Sequence, residues 1–160
     1  MKLEKISIVL VDDELNALNR LKILLNHNDD VEIIGQFTEA IPGLEFIISN
    51  KPDLVFLDIE MPSISGLEIA KEINKKSIKS KVIFVTSHDH YAIKAIKFNV
   101  FDYLLKPVSI DELKKTINRY QNKIQINLSQ RELEIVNLIS EGKNSKDIGV
   151  ILSISRHTVD

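Results

Sequence analysis

A doubly wound α/β fold, a parallel sheet with helices on both faces, is predicted by three observations. Short apolar runs recur along the first three quarters of the chain, at Ile6–Val11 (ISIVLV), Leu54–Leu57 (LVFL) and Val82–Val85 (VIFV). Between them lie stretches with apolar residues at helical spacing. The runs carry no regular polar alternation, as expected of strands buried on both faces. Strands and helices alternating five times imply βαβ units joined by right-handed crossovers.

Each element has its own local justification. Ile6–Val11 ends in Asp12, Asp13 and Glu14. Leu15, Leu18, Leu21 and Leu25 then mark one side of a helix, with Arg20 and Lys22 on the other. Val31–Phe37 (VEIIGQF) is a weaker strand after the turn-like Asn28-Asp29-Asp30. Thr38 is placed to cap a helix running to about Asn50, with Pro42 near its first turn, where proline is tolerated. Leu54–Leu57 follows Lys51-Pro52. A loop with Pro62 and Gly66 leads into a helix from about Gly66 to Lys76, and Val82–Val85 runs into Thr86-Ser87. Tyr91–Phe98 has helical periodicity, with Lys94 and Lys97 away from its apolar side. Phe101–Leu105 (FDYLL) is a short strand ending at Lys106-Pro107. Ser109 and Glu112 have capping-box spacing and open a helix to about Lys123.

Bulk composition narrows the class. Of 160 residues, 44% are hydrophobic and 28% charged, a normal balance for a soluble domain with a core. The absence of cysteine excludes disulfides and thiolate metal sites and fits a cytoplasmic setting. No apolar run approaches the ~20 residues of a membrane span. MKLEKISIVLVDDE is a poor signal peptide, so no membrane partner is expected. A net charge of −2 gives no general reason to expect nucleic-acid binding.

The chemistry lies at the strand ends, because open parallel sheets place their ligands at the carboxyl edge. Asp58 alone reads equally as a helix cap or a chemical group. The same edge, however, receives Asp12 and Asp13 from the first strand, Thr86 from the fourth and Lys106 from the fifth. Three neighbouring carboxylates repel one another unless a cation is bound. Mg²⁺ suits such oxygen ligands and usually shares them with waters and phosphate oxygens. Carboxylates, a hard cation, a lysine and a hydroxyl together make a phosphoryl-binding constellation, in which one carboxylate can act as nucleophile.

These residues carry a resemblance. VDDE, FLDIEMP, VTS and DYLLKP, in that order, resemble the receiver domain of two-component response regulators over residues 5–123. The resemblance implies a CheY-like, flavodoxin-like fold with strand order 2-1-3-4-5. It also implies that Asp58 accepts a phosphoryl group from a sensor histidine kinase and that the cofactor is Mg²⁺. Asp13, Asp12, Asp58 and the backbone carbonyl of Glu60 would hold the metal. Lys106 would contact the phosphoryl oxygens, with Thr86 and Tyr103 as the switch hydroxyl and switch aromatic, Tyr103 turning inward on phosphorylation. Such a protein is not an enzyme in the ordinary sense, although it assists its own phosphorylation and dephosphorylation. HYAIKAIKFNVFDYLLKP is most similar to receivers of LytTR-type regulators. A homodimer on phosphorylation is a further expectation; Lys94 and Lys97 read most simply as a solvated helix face and, alternatively, as a dimer contact.

The C-terminal segment is similar to another family. LSQRELEIVNLISEGKNSKDIGVILSISRHTV resembles the start of the LuxR/NarL-type helix-turn-helix, with Ser129 and Glu132 as a capping pair and Gly142 as a helix stop. The expected division is a receiver at 1–123, a linker at 124–128 and a partial helix-turn-helix at 129–160. The recognition helix is incomplete at Asp160, so no DNA-binding residue is assigned, and Gly149 replaces the family's usual alanine. Residues 129–160 hold four Lys or Arg against five Asp or Glu, whereas a phosphate-binding module should be basic. DNA is therefore a partner only if the full helix-turn-helix is present. The alternative output is a receiver acting through protein contacts. A phosphatase built on an aspartyl phosphate would need an acid–base aspartate where this chain has Glu60. His88 and His90 read as solvated loop histidines. His88, two residues after Thr86, is also placed to lie over the pocket and tune dephosphorylation with Glu60.

Overall fold

The computed structural model of the chain describes residues 4–89 and 97–122. Five strands form one parallel sheet in the order β2-β1-β3-β4-β5: β1 Ile6–Val11, β2 Val31–Phe37, β3 Leu54–Leu57, β4 Lys81–Thr86 and β5 Asp102–Leu105. The described helices are α1 Leu15–Leu25, α2 Ala40–Asn50, α3 Gly66–Lys75 and α4 Ile110–Gln121. The expected fold class and strand order are both present. The expected helix from Tyr91 lies mainly outside the described residues. So do His90, Lys94, the linker and the helix-turn-helix segment.

The two-residue period of the strands divides the core in two. Val9, Val11, Val55, Leu57, Phe84 and Tyr103 face α2 and α3. Ile8, Leu10, Leu54, Phe56, Val85 and Leu104 face α1 and α4. Both faces are thus covered, which explains why β3 is a wholly buried apolar run.

Some local expectations needed correction. Leu15 is 60% exposed, because α1 buries the stripe Leu18, Leu21 and Leu25, and Leu15 sits at the solvent end of its first turn. Thr38 is not a cap: Glu39 occupies that position without a side-chain cap bond, and α2 begins at Ala40. Phe101 precedes β5, although its amide donates to the Val82 carbonyl at 2.7 Å. The Ser109–Glu112 capping box is formed. A second box, Ser65 with Glu68, opens α3 and escaped the sequence reading although its S-x-x-E spacing was available.

Gly66 fixes how the loop after β3 returns to the sheet. A Cβ at this position would lie 2.1 Å from the Asp58 carbonyl oxygen and 3.0 Å from the Ile59 Cα. The Gly66 amide donates to the Ile59 carbonyl at 2.8 Å, which draws the start of α3 directly onto the loop. Gly66→Ala is expected to cost at least about 1–3 kcal/mol by overpacking and to displace Asp58. An unchanged urea midpoint in that variant would show that the loop moves aside freely.

Candidate functional site

The carboxyl edge of the sheet gathers the groups expected there. β1 ends at Val11, whose carbonyl accepts from the Asp58 amide at 2.9 Å, so Asp12 and Asp58 leave neighbouring strands side by side. β5 delivers Lys106 in register with the end of β4: the Lys106 amide donates to the Thr86 carbonyl at 2.8 Å. The Lys106–Pro107 peptide is cis. The Lys106 ammonium lies 2.7 Å from Asp12 Oδ2, 3.5 Å from Asp58 Oδ2 and 3.7 Å from Glu14 Oε1. Asp12, Asp58 and Thr86 are buried, while the side chain of Glu14 is 64% exposed.

Carboxylate oxygens of Asp12, Glu14 and Asp58 all lie within 4.8 Å of one another. Asp13 is exposed and is not part of that group. The sequence reading named Glu14 only as part of an acidic run. Its place in the cluster follows from the chain turning into α1, where the Glu14 amide donates to Asp12 Oδ1 at 2.9 Å. Such a clustered, hard-oxygen donor set fits a divalent cation with oxygen preference.

Burial pushes the Asp58 carboxyl up to about 7, and the charge of Asp12 adds to this; Lys106 and the Ile59 amide pull the other way without cancelling it. Burial by itself would lower Lys106. The hydrogen bond to Asp12 and the charges of Asp58, Asp12 and Glu14 outweigh it and hold the ammonium above its ordinary range. The site is therefore short of positive charge, which leaves room for a cation.

The rim of the site is built from the loops after β3 and β4. His88 Nε2 lies 2.9 Å from Glu60 Oε2, and the His88 amide donates to Thr86 Oγ1 at 3.3 Å. Tyr103 is already turned inward, buried against the α2–α3 face, with its hydroxyl donating to the His88 carbonyl. A cleft of about 360 Å³ opens from Asp58 between α1 and the Lys106–Val108 loop, floored by Leu10, Phe56 and Val85. Arg20 Nη2 donates to the Val108 carbonyl at 3.2 Å across that cleft.

Behind β5 lies a buried polar cluster that the sequence reading did not find. Asp102 faces α4, where Oδ2 accepts from Thr116 Oγ1 at 2.6 Å and lies 3.7 Å from Arg119 Nη2. Its Oδ1 accepts from the Tyr103 amide at 2.8 Å. Arg119 also donates to the Phe101 carbonyl and lies 4.3 Å from the centre of the Phe101 ring. The available signal was an aspartate two residues before Leu104, and so on the same face of a buried strand, with Thr116 on the apolar stripe Leu113–Ile117 of α4.

A buried aspartate, an adjoining acidic pair and a strand-end lysine at the edge of a 2-1-3-4-5 sheet describe a signal-receiver site. The family model "Response regulator receiver domain" matches residues 8–118, and the chain belongs to that family. The arrangement is more particular: residues 126–160 match the model of bacterial regulatory proteins of the luxR family, so a receiver is followed by a LuxR-type helix-turn-helix segment. An uncharacterized response regulatory protein of Vibrio cholerae is 46% identical over 114 residues, covering 71% of this chain and 48% of that protein. The transcriptional regulatory protein BtsR of Escherichia coli K12 is 36% identical over 140 residues, covering 88% of this chain and 55% of BtsR. The chain thus spans about half the length of the curated relatives it matches. Among solved structures, a DNA-binding response regulator of the LuxR family from Staphylococcus aureus superposes with a TM-score of 0.67 at 35% identity, over 72% of this chain and 98% of that one. Among the described residues, no helix is long and apolar enough to cross a membrane.

Proposed function

We propose that the chain is a phosphoryl-accepting response regulator that takes its phosphoryl group on Asp58 from a sensor histidine kinase in the cytoplasm. The observation that carries this reading is Asp58 itself, a buried carboxylate at a strand end with a lysine at 3.5 Å and a second buried carboxylate beside it. An Asp58 oxygen would form the new P–O bond while the P–N bond to the donor imidazole breaks, the electron pair leaving on nitrogen. Lys106 is placed to follow negative charge from the carboxylates to the phosphoryl oxygens. Thr86, wholly buried at the end of β4, supplies a hydroxyl to the same edge. Asp12, Asp58 and Glu14 would supply carboxylates to hold Mg²⁺, together with Asp13 and the Glu60 carbonyl that the family resemblance adds. Mg²⁺ bound by these residues would supply charge neutralisation for the carboxylates and the incoming phosphoryl group. Tyr103 serves as the switch aromatic.

The output we assign is control of transcription. Residues 1–123 form the receiver, 124–128 the linker, and 129–160 part of a DNA-binding helix-turn-helix. The luxR-family match and the names of the relatives support this reading. Incubation with acetyl phosphate and Mg²⁺ is expected to add one phosphoryl group per chain by intact mass, and a chelator to abolish the addition. Labelling of equal extent in the presence of chelator would overturn the metal-assisted mechanism.

A further inference from the structure

We propose that Asp102 and Thr116 are positioning residues through which α4 sets how long a phosphoryl group survives on Asp58; this rests on Asp58 being the acceptor. Two sets of polar contacts, one at the Tyr103 backbone amide and one at its side-chain hydroxyl, join the helix to the pocket rim through Tyr103. Thr116 Oγ1 donates to Asp102 Oδ2 at 2.6 Å, and Asp102 Oδ1 accepts from the Tyr103 amide at 2.8 Å. The Tyr103 hydroxyl donates to the His88 carbonyl, and His88 Nε2 meets Glu60 Oε2 at 2.9 Å. Glu60 follows Asp58 by two residues, and the His88 amide bonds to Thr86.

The two ends of this linkage differ in character. Thr116 is 1% exposed and Asp102 5% exposed, so their bond is made in a low-dielectric interior where geometry is strongly enforced. The side chains of His88 and Glu60 are 44% and 49% exposed, and a pair so wet contributes little to its own placement. The rim takes its position from Tyr103 as well as from the buried Thr86, and the anchor behind β5 holds the Tyr103 backbone on the side away from its pairing with β4. Period-two alternation makes this possible, since Asp102 faces α4 while Tyr103 reaches the opposite side of the sheet. Loosening the anchor lets the rim move and admits water to the acyl phosphate. Hydrolysis then forms a bond from the water oxygen to phosphorus, the Asp58 carboxylate leaves with its electron pair, and inorganic phosphate carries off the oxygen. α4 ends at Gln121 and the luxR-family match begins at residue 126, so the helix that sets the lifetime is the last described element before that match in the sequence.

The test uses the full chain labelled with acetyl phosphate and Mg²⁺, with loss of the phosphoryl group followed by intact mass after donor removal. Absence of label on the wild-type chain would overturn Asp58 as acceptor and so separates that failure from this one. Thr116→Val keeps the shape and removes the donor; it is expected to shorten the phosphoryl lifetime at least about threefold. Thr116→Ser keeps the hydroxyl and should restore the wild-type lifetime. Tyr103→Phe cuts the same linkage at its other end and is expected to shorten the lifetime similarly. The double variant should then be no shorter-lived than the more affected single one, because both changes act on one path. An unchanged lifetime in either folded variant, with only the melting temperature lowered, overturns the proposal.

Discussion

Asp58→Asn is expected to abolish phosphoryl labelling and, at the same time, to stabilise the fold at neutral pH. Loss of label follows from loss of the nucleophile, since an amide cannot form the acyl phosphate. The gain in stability follows from what Asp58 endures. Burial, with Asp12 close by, raises its carboxyl to about 7, against about 4 in the unfolded chain. Between those values the folded chain holds a proton that the unfolded chain has lost. Stability therefore falls as pH rises through the window from about 4 to about 7, and levels off above it. The neutral amide of the Asp58→Asn variant carries no such slope. Its advantage over wild type should grow across that window to on the order of 1–2 kcal/mol at pH 8 in the absence of divalent cation. Added Mg²⁺ should narrow the difference, because a ligand that binds the folded wild type raises its apparent stability. Urea midpoints at pH 5 and pH 8, with and without Mg²⁺, measure all of this. Equal midpoints for the two chains at pH 8 would mean that Lys106 fully compensates the Asp58 charge.

Asp102→Ala is expected to be the most destabilising single change among the polar residues, by about 3–5 kcal/mol. Three groups each lose one partner together. Thr116 is left with the Glu112 carbonyl at 3.2 Å as its remaining acceptor, the Tyr103 amide loses its acceptor, and the Arg119 guanidinium keeps its charge in a 9% exposed position. Arg119 is already imperfectly satisfied, for its Nε has no hydrogen-bond partner among the described residues. Removing both charges should cost much less than removing one, since a buried pair replaced by apolar groups is often near neutral. Asp102→Leu combined with Arg119→Met is therefore expected to recover most of the loss. A cost below about 1 kcal/mol for Asp102→Ala would show that Arg119 reaches water and the pair behaves as a surface one.

These two residues also mark where a linear reading succeeds and where it stops. Asp58 was legible because it ends a wholly apolar run and because matching groups end the other runs. A parallel sheet converts those scattered positions into one edge without knowledge of any side-chain contact. Asp102 was not legible as an anchor. It sits one residue from Tyr103, and its partners Thr116 and Arg119 look like ordinary members of an amphipathic helix. Only the packing of α4 on the sheet brings them together. Glu14 is an intermediate case: its charge was noted, while its membership of the cluster depends on the turn into α1. Thr38 and Leu15 show the opposite limit: both sit at helix starts, where a shift of one or two residues decides which group is a cap and which is exposed, and propensity and spacing do not resolve that shift.

The order of residues was enough to define the five alternating units, the strand order through the family it resembles, and the set of groups delivered to the carboxyl edge. Hydrophobic periodicity is local, and the edge follows from topology alone. Three-dimensional packing was needed to establish which carboxylates stand together, that Tyr103 lies inward on the His88 carbonyl, and that a buried aspartate ties β5 to the last described helix. Those are matters of ångström-scale fit between segments distant in sequence, where the hydrogen-bond partners of a buried polar group are chosen by geometry.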